Sequence, residues 1–302
     1  MSAVAEERAP RQTSAGAVTG LLRAMRPRHW TKNLLVLVPL LPAGSALRQV
    51  DPLDVLLAFA AFCLISSSVY LVNDARDVES DRAHPVKRYR PLAAGVVPIP
   101  LAVVAAVVLA AAAFALSAAV NVPLLVTVAT YYGIQLAYCF GLKHEPVLEL
   151  ACVASGFMLR ALAGGVAVDI PLSSWFLLTA AFGSLYMAAG KRYGEARMGE
   201  RTGARVRRVV QRYTMTFLRF VWTLSATVVV LTYSLWSFEV SQRTESVFSA
   251  VSVVPFTLAI LRFGINVDAG TAEEPDEIVV HDRVLLALGL LWAVLFAAAV
   301  YL

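Results

Sequence analysis

The sequence predicts an all-α, polytopic membrane protein, a bundle of nine transmembrane helices, and three observations carry that reading. The 302 residues are 59% hydrophobic and only 16% charged, far from the balance of a soluble domain. Apolar runs of about 20 residues, long enough to cross a bilayer as a helix, recur along the chain. Most of the 26 basic residues gather in three short segments, as the positive-inside rule requires.

In chain order, residues 1–20 are polar with no apolar core, which predicts a disordered cytoplasmic tail and no signal peptide. Residues 21–302 then form a single domain. The spans fall near 33–50, 53–73, 98–120, 122–141, 147–168, 172–190, 214–238, 246–266 and 283–302. Pro39, Pro42 and Gly44 break the first, and a broken helix survives in lipid only where neighbours satisfy its freed backbone groups. With the N-terminus inside, the loops 74–97, 142–146, 191–213 and 267–282 face the cytoplasm. They hold nearly all the loop cations, leaving chiefly Arg48 and Arg243 outside. The acidic stretch Asp268 to Glu277 reads as a solvated loop on the inner side. A multi-pass protein of the plasma membrane follows, surrounded by membrane lipids. Nucleic-acid binding is excluded, because no soluble module carries the basic residues. Cys63, Cys139 and Cys152 lie in apolar runs without ligand spacing and read as reduced packing residues. The four histidines show no metal spacing either.

The chemistry centres on YLVNDARDVESDRAHPVKRYRPLAAG, residues 70–95. Asn73, Asp77 and Asp81 stand at i, i+4 and i+8 at the end of the second span, so a continuous helix puts them on one face. Asp74 is close enough around the helix to join them. Carboxylates converging at a membrane edge repel one another unless a cation lies between them. Mg2+ suits such oxygen donors and keeps positions open for substrate phosphates. Basic residues cluster again in AGKRYGEARMGER, residues 189–201, where Lys191 and Glu195 are i, i+4 and Arg192 and Tyr193 lie between. Lys32 and Asn33 open the first span, and Tyr138 and Lys143 close the fourth. Arg160 lies deep within the fifth, where a cation is costly and should face a polar cavity and an anion.

NDARDVESD, residues 73–81, matches the NDxxDxxxD signature of the UbiA superfamily of intramembrane prenyltransferases, and YCFGLK and GFMLRALAGG also resemble landmarks of that family. Usual members carry a second aspartate-rich motif after the sixth span. This chain has Lys191, Arg192, Tyr193 and Glu195 there. In that departure, and over nearly its full length, it resembles the branch that makes precursors of cell-wall arabinan. The resemblance implies transfer of 5-phosphoribose from phosphoribosyl pyrophosphate to decaprenyl or another polyprenyl phosphate, releasing pyrophosphate, with Mg2+ as cofactor. It implies catalytic roles for Asp77, Asp81 and Lys191, and metal-binding roles for Asn73, Asp77 and Asp81. Lys87, Arg90 and Lys191 would meet donor phosphates, and Lys143, Arg160 and Arg192 the lipid phosphate, a division the residue pattern leaves open. Lys32, Tyr70 and Tyr193 complete the expected substrate contacts, and a homo-oligomer stays possible. Asp77 and Lys191 should share one cavity at the cytoplasmic edge. Two other readings remain: an ordinary prenyl transfer to an aromatic acceptor, disfavoured by the missing aspartates, and a transporter, whose acids would sit nearer mid-membrane.

Overall fold

A computed structural model describes residues 14–203, 208–269 and 282–302. Among these residues the chain is helical with no strand. The elements are α1 (Ser14–Ala24), η1 (Pro27–Gln49), α2 (Pro52–Arg76), α3 (Val78–Arg82), α4 (Ile99–Val120), α5 (Val122–Phe140), α6 (Leu148–Ala167), α7 (Ser174–Thr202), α8 (Met215–Thr244), α9 (Val247–Ala269) and α10 (Arg283–Tyr301). Seven of them (α2, α4, α5, α6, α8, α9 and α10) are long and apolar enough to cross a membrane. The other two expected spans exist as η1 and α7, but as elements of different character. η1 is a 3-10 helix that changes course at Gly44, with φ 54. α7 carries Lys191, Arg192 and Glu195 inside a helix that continues to Thr202. The expected tail is also shorter, because residues 14–20 are helical. Its first 13 residues, Arg205, Arg207 and most of the acidic stretch after Asp268 lie outside the described residues.

Local chemistry explains the boundaries. Asp51, Asn121, Ser173, Thr214 and Asp282 each cap the following helix, their side-chain oxygens accepting backbone N–H bonds. Prolines in the first turn of α2, α4 and α5 cost nothing there, since those N–H groups have no helical partner. Asp282 also accepts from Arg262 Nε at 2.7 Å and Asn266 Nδ2 at 2.8 Å. Those bonds, Arg262's foremost, hold its carboxyl well below the usual carboxylate range.

Polar pairs tie the bundle together where oily surfaces alone give little specificity in lipid. On α2, Ser67 accepts from Trp30 Nε1 at 3.0 Å, and Ser68 donates to the Ala106 carbonyl at 2.8 Å. Ser237 and Ser249 exchange hydroxyl–carbonyl bonds between α8 and α9. Tyr301 donates to the Leu41 carbonyl at 3.1 Å, fastening the last helix to η1. The tightest approach is at Gly164, where a Cβ would come within 1.8 Å of the Val36 carbonyl oxygen. Gly164→Ala should therefore force η1 from α6, at a cost at the upper end of the ~1–3 kcal/mol typical of overpacking. A clear fall in the thermal midpoint of detergent-solubilised protein is the expected readout.

Candidate functional site

η1, α2, α5, α6, α7, α8, α9 and α10 enclose a cavity of about 820 Å3. His29, Thr31 and Lys32 from η1, Tyr70 from α2, Tyr138 from α5, and Lys191 and Arg192 from α7 line one end. The other end is oily and aromatic, with Phe176, Trp236, Phe256, Trp292 and Phe296. Several of its polar atoms are satisfied internally. Trp292 Nε1 donates to Tyr233 Oη at 2.6 Å, and that hydroxyl meets Ser252 Oγ at 2.6 Å. Thr179 and Ser184 turn their hydroxyls onto carbonyls of their own helix. The surface presented is therefore suited to hydrocarbon, with cations only at its head.

The acidic ledge lies one turn beyond Tyr70. α2 stops at Arg76, Asp77 forms the junction (φ −94, ψ 5) and α3 follows. The i to i−4 backbone bonds still run through, Asp77 N to Asn73 O at 2.9 Å and Asp81 N to Asp77 O at 2.8 Å. The side chains, however, do not converge as an unbroken helix predicts. Asn73 Oδ1 and Asp77 Oδ1 both meet Lys143 Nζ. Asp81 instead turns to Arg90 at 2.7 Å, which also holds Asp74 at 3.2 Å. Asp74 is buried and takes Arg26 at 2.6 Å. Each carboxylate is thus paired with at least one cation, Arg90 being shared by Asp74 and Asp81, and among the described residues no three carboxylate, imidazole or thiol groups form a ready-made metal cage. Asn73 and Asp77 nonetheless aim two hard oxygens at one point that a cation already fills. Two such donors are enough for Mg2+, which usually binds through one or two carboxylates plus water and substrate phosphate.

The ledge and the cavity adjoin without sharing one void. Neither Asp77 nor Asp81 lines the cavity, contrary to the single space expected from the sequence. They connect through Arg26, whose guanidinium lies 4.9 Å from the centre of the Tyr70 ring. Tyr70 in turn meets His29 Nδ1 at 3.2 Å.

Arg192 is held by Glu149 through two bonds of 2.8 Å, with Glu149 fully buried. That paired geometry fixes the guanidinium plane. Beside it, Val147 adopts φ 67, rare for a β-branched residue. Its N–H donates to Tyr213 Oη at 2.8 Å. Burial pushes the Tyr213 hydroxyl above the ordinary phenol range, so it stays neutral. Glu149→Gln leaves Arg192 buried beside a neutral amide, and breaking such pairs costs about 3–5 kcal/mol. Lowered stability is the expected outcome, measured by thermal melts.

Three expected substrate residues lie elsewhere. Among the described residues Arg160 meets no carboxylate, and it does not line the cavity. It donates to Asn33 Oδ1 at 2.7 Å, the Gly156 carbonyl at 2.6 Å and Tyr131 Oη at 3.0 Å, among the rings of Phe62, Tyr131 and Phe157. Its charge is spread over neutral oxygens and π faces, joining η1, α5 and α6. Tyr193 is fully buried, stacked on Trp222 and donating to Asp268 at 2.9 Å. It faces α8 and α9 rather than the site. Lys87 sits in a short turn outside the cavity, its backbone N–H on His84 Nδ1 at 3.2 Å. Lys32, Tyr70, Lys191 and Arg192 do come together at the cavity head. The sequence missed Arg26, hidden among topology-setting cations, and Glu149, whose signal was an acid inside an apolar run. Cys63, Cys139 and Cys152 are free and buried, as expected.

A helical membrane bundle with a cation-headed, apolar-lined cavity beside an acidic ledge has the make-up of an intramembrane transferase. Residues 36–286 match the model of the UbiA prenyltransferase family, and the chain belongs to that family. It is 52% identical over 297 residues to the decaprenyl-phosphate phosphoribosyltransferase of Mycolicibacterium smegmatis, covering 94% of this chain and 93% of that one. The protein of the same name from Mycobacterium tuberculosis is 53% identical, with coverage of 96% and 97%. That of Corynebacterium glutamicum is 50% identical, with coverage of 98% and 91%. Among solved structures, a UbiA homolog from Archaeoglobus fulgidus bound to GPP and Mg2+ superposes with TM-score 0.71. It is 17% identical, and the match covers 93% of this chain and 98% of that one, so it speaks for the fold.

Proposed function

We propose that the chain transfers 5-phosphoribose from phosphoribosyl pyrophosphate to decaprenyl phosphate, giving decaprenylphosphoryl-5-phosphoribose and pyrophosphate for arabinan precursor synthesis. The observation that carries this is the cavity, an apolar volume headed by Lys32, Lys191 and Arg192. It suits a polyprenyl phosphate, and relatives sharing half the sequence bear the corresponding name. Lys191 and Arg192 hold the acceptor phosphate, whose oxygen is already anionic and needs no base. Asn73 and Asp77 would hold Mg2+, which supplies charge neutralisation to the departing pyrophosphate. Arg90, paired with Asp81 and Asp74, would meet the donor phosphates, and Lys143, on Asn73 and Asp77, would exchange those oxygens for a substrate phosphate. One bond forms, from acceptor oxygen to ribose C1, as the bond from C1 to pyrophosphate breaks. Tyr70 and Tyr138 stand at the head of the cavity, beside the ledge. The site faces the cytoplasm, with the N-terminus inside, because the cation-rich loops belong there.

The test offers purified protein labelled phosphoribosyl pyrophosphate with decaprenyl phosphate and, separately, a polyprenyl pyrophosphate with an aromatic acid. Label entering the lipid phase only in the first mixture is expected. Product only in the second would establish ordinary prenyl transfer instead.

A further inference from the structure

We propose that a cleft between α1 and residues 89–96 binds the headgroup phosphate of an anionic phospholipid from the surrounding leaflet. This cleft, of about 450 Å3, lies apart from the cavity described above. Thr19 and Arg23 from α1 and Tyr89 from the facing loop bring a hydroxyl, a guanidinium and a phenol to it, with Gly16 and Gly20 keeping it open. Among the described residues no carboxylate lines it. Those donors suit a phosphate monoanion or diester, and a guanidinium binds phosphate oxygens more strongly than a neutral donor does. Arg88 adds a second charge, its guanidinium 4.9 Å from the Tyr89 ring centre and 2.7 Å from that hydroxyl.

The surroundings assign the phosphate to a lipid. α1 leads directly into η1, and residues 89–96 lead into α4, so the cleft sits at the rim of the spanning region. Val18 and Leu22, one turn apart on the outer face of α1, are 59% and 54% exposed, and Val86 beside the cleft is 72% exposed. An apolar stripe with flanking cations is the pattern of a helix lying in the headgroup layer. α1 is also firmly seated, since a Cβ on Gly20 would fall 2.9 Å from both Val96 and Val97. A soluble phosphate would make no use of the exposed apolar residues.

The experiment offers the full-length protein, in mild detergent, equal amounts of phosphatidylglycerol and phosphatidylcholine, and counts retained lipids by native mass spectrometry. Preferential retention of phosphatidylglycerol is expected, falling about fivefold in Arg23→Gln, the loss of one basic contact to an anionic headgroup. Tyr89→Ala should weaken it too, and Tyr89 is exposed enough that this variant folds. In nanodiscs, a Leu22→Trp variant should be quenched by brominated acyl chains. Equal retention of the two lipids, retention unchanged in both variants, displacement by millimolar inorganic phosphate, or an unquenched Trp would each overturn the proposal.

Discussion

Asp77→Asn should lower phosphoribosyl transfer by at least about 10²–10³-fold, the scale seen when one preorganised electrostatic group is removed from an active site. The substitution is isosteric and sits at a helix junction, so the fold should survive. What it removes is charge. Asp77 and Asn73 aim their oxygens at the same point, now filled by Lys143 Nζ. With two carboxamides there, a divalent ion loses the one carboxylate of that pair. The residual rate should also need far more Mg2+ for half-saturation. Rates across a Mg2+ titration check both expectations, and wild-type activity with an unchanged Mg2+ requirement would remove the metal role from Asp77.

Lys191→Ala should act on the other substrate. Lys191 lines the cavity head near the last of its apolar wall. A charge-assisted bond to phosphate is worth about 1.5–3 kcal/mol, so kcat/KM for decaprenyl phosphate should fall about 10- to 200-fold. The loss should appear in the lipid substrate's KM, with that of the donor little changed. Steady-state kinetics with each substrate varied separates the two. A variant altered only in bulk lipid association, with normal kinetics, would instead make Lys191 an anchor for lipid headgroups.

The bundle is largely legible because hydropathy and charge asymmetry depend only on the order of residue types along the chain. Hydropathy also reads spans at η1 and α7, but neither is among the seven helices long and apolar enough to cross a membrane, one being broken by Pro39, Pro42 and Gly44 and the other carrying charges toward its end. Partnerships were less legible. Periodicity placed Asn73, Asp77 and Asp81 on one face, but the junction at Asp77 and the competing pulls of Lys143 and Arg90 split their side chains. Arg160 was expected to find an anion because a lone buried cation is costly. It instead distributes its charge over Asn33, Gly156 and Tyr131, partners 127, 4 and 29 residues away in sequence. Long-range pairs of this kind, like Arg192 with Glu149 or Arg26 with Asp74, leave no periodic trace in a single sequence.

In the proposed reaction two phosphorylated substrates meet where the ledge adjoins the cavity. A structure with Mg2+, an unreactive phosphoribosyl pyrophosphate analogue and a polyprenyl phosphate tests this most directly. The prediction is an acceptor phosphate held by Lys191 and Arg192, its oxygen about 3–3.5 Å from the ribose C1, with the pyrophosphate beside Asn73 and Asp77 and the tail against Trp292 and Phe296. An acceptor phosphate bound away from that head, or a donor bound on another face of the bundle, would contradict it.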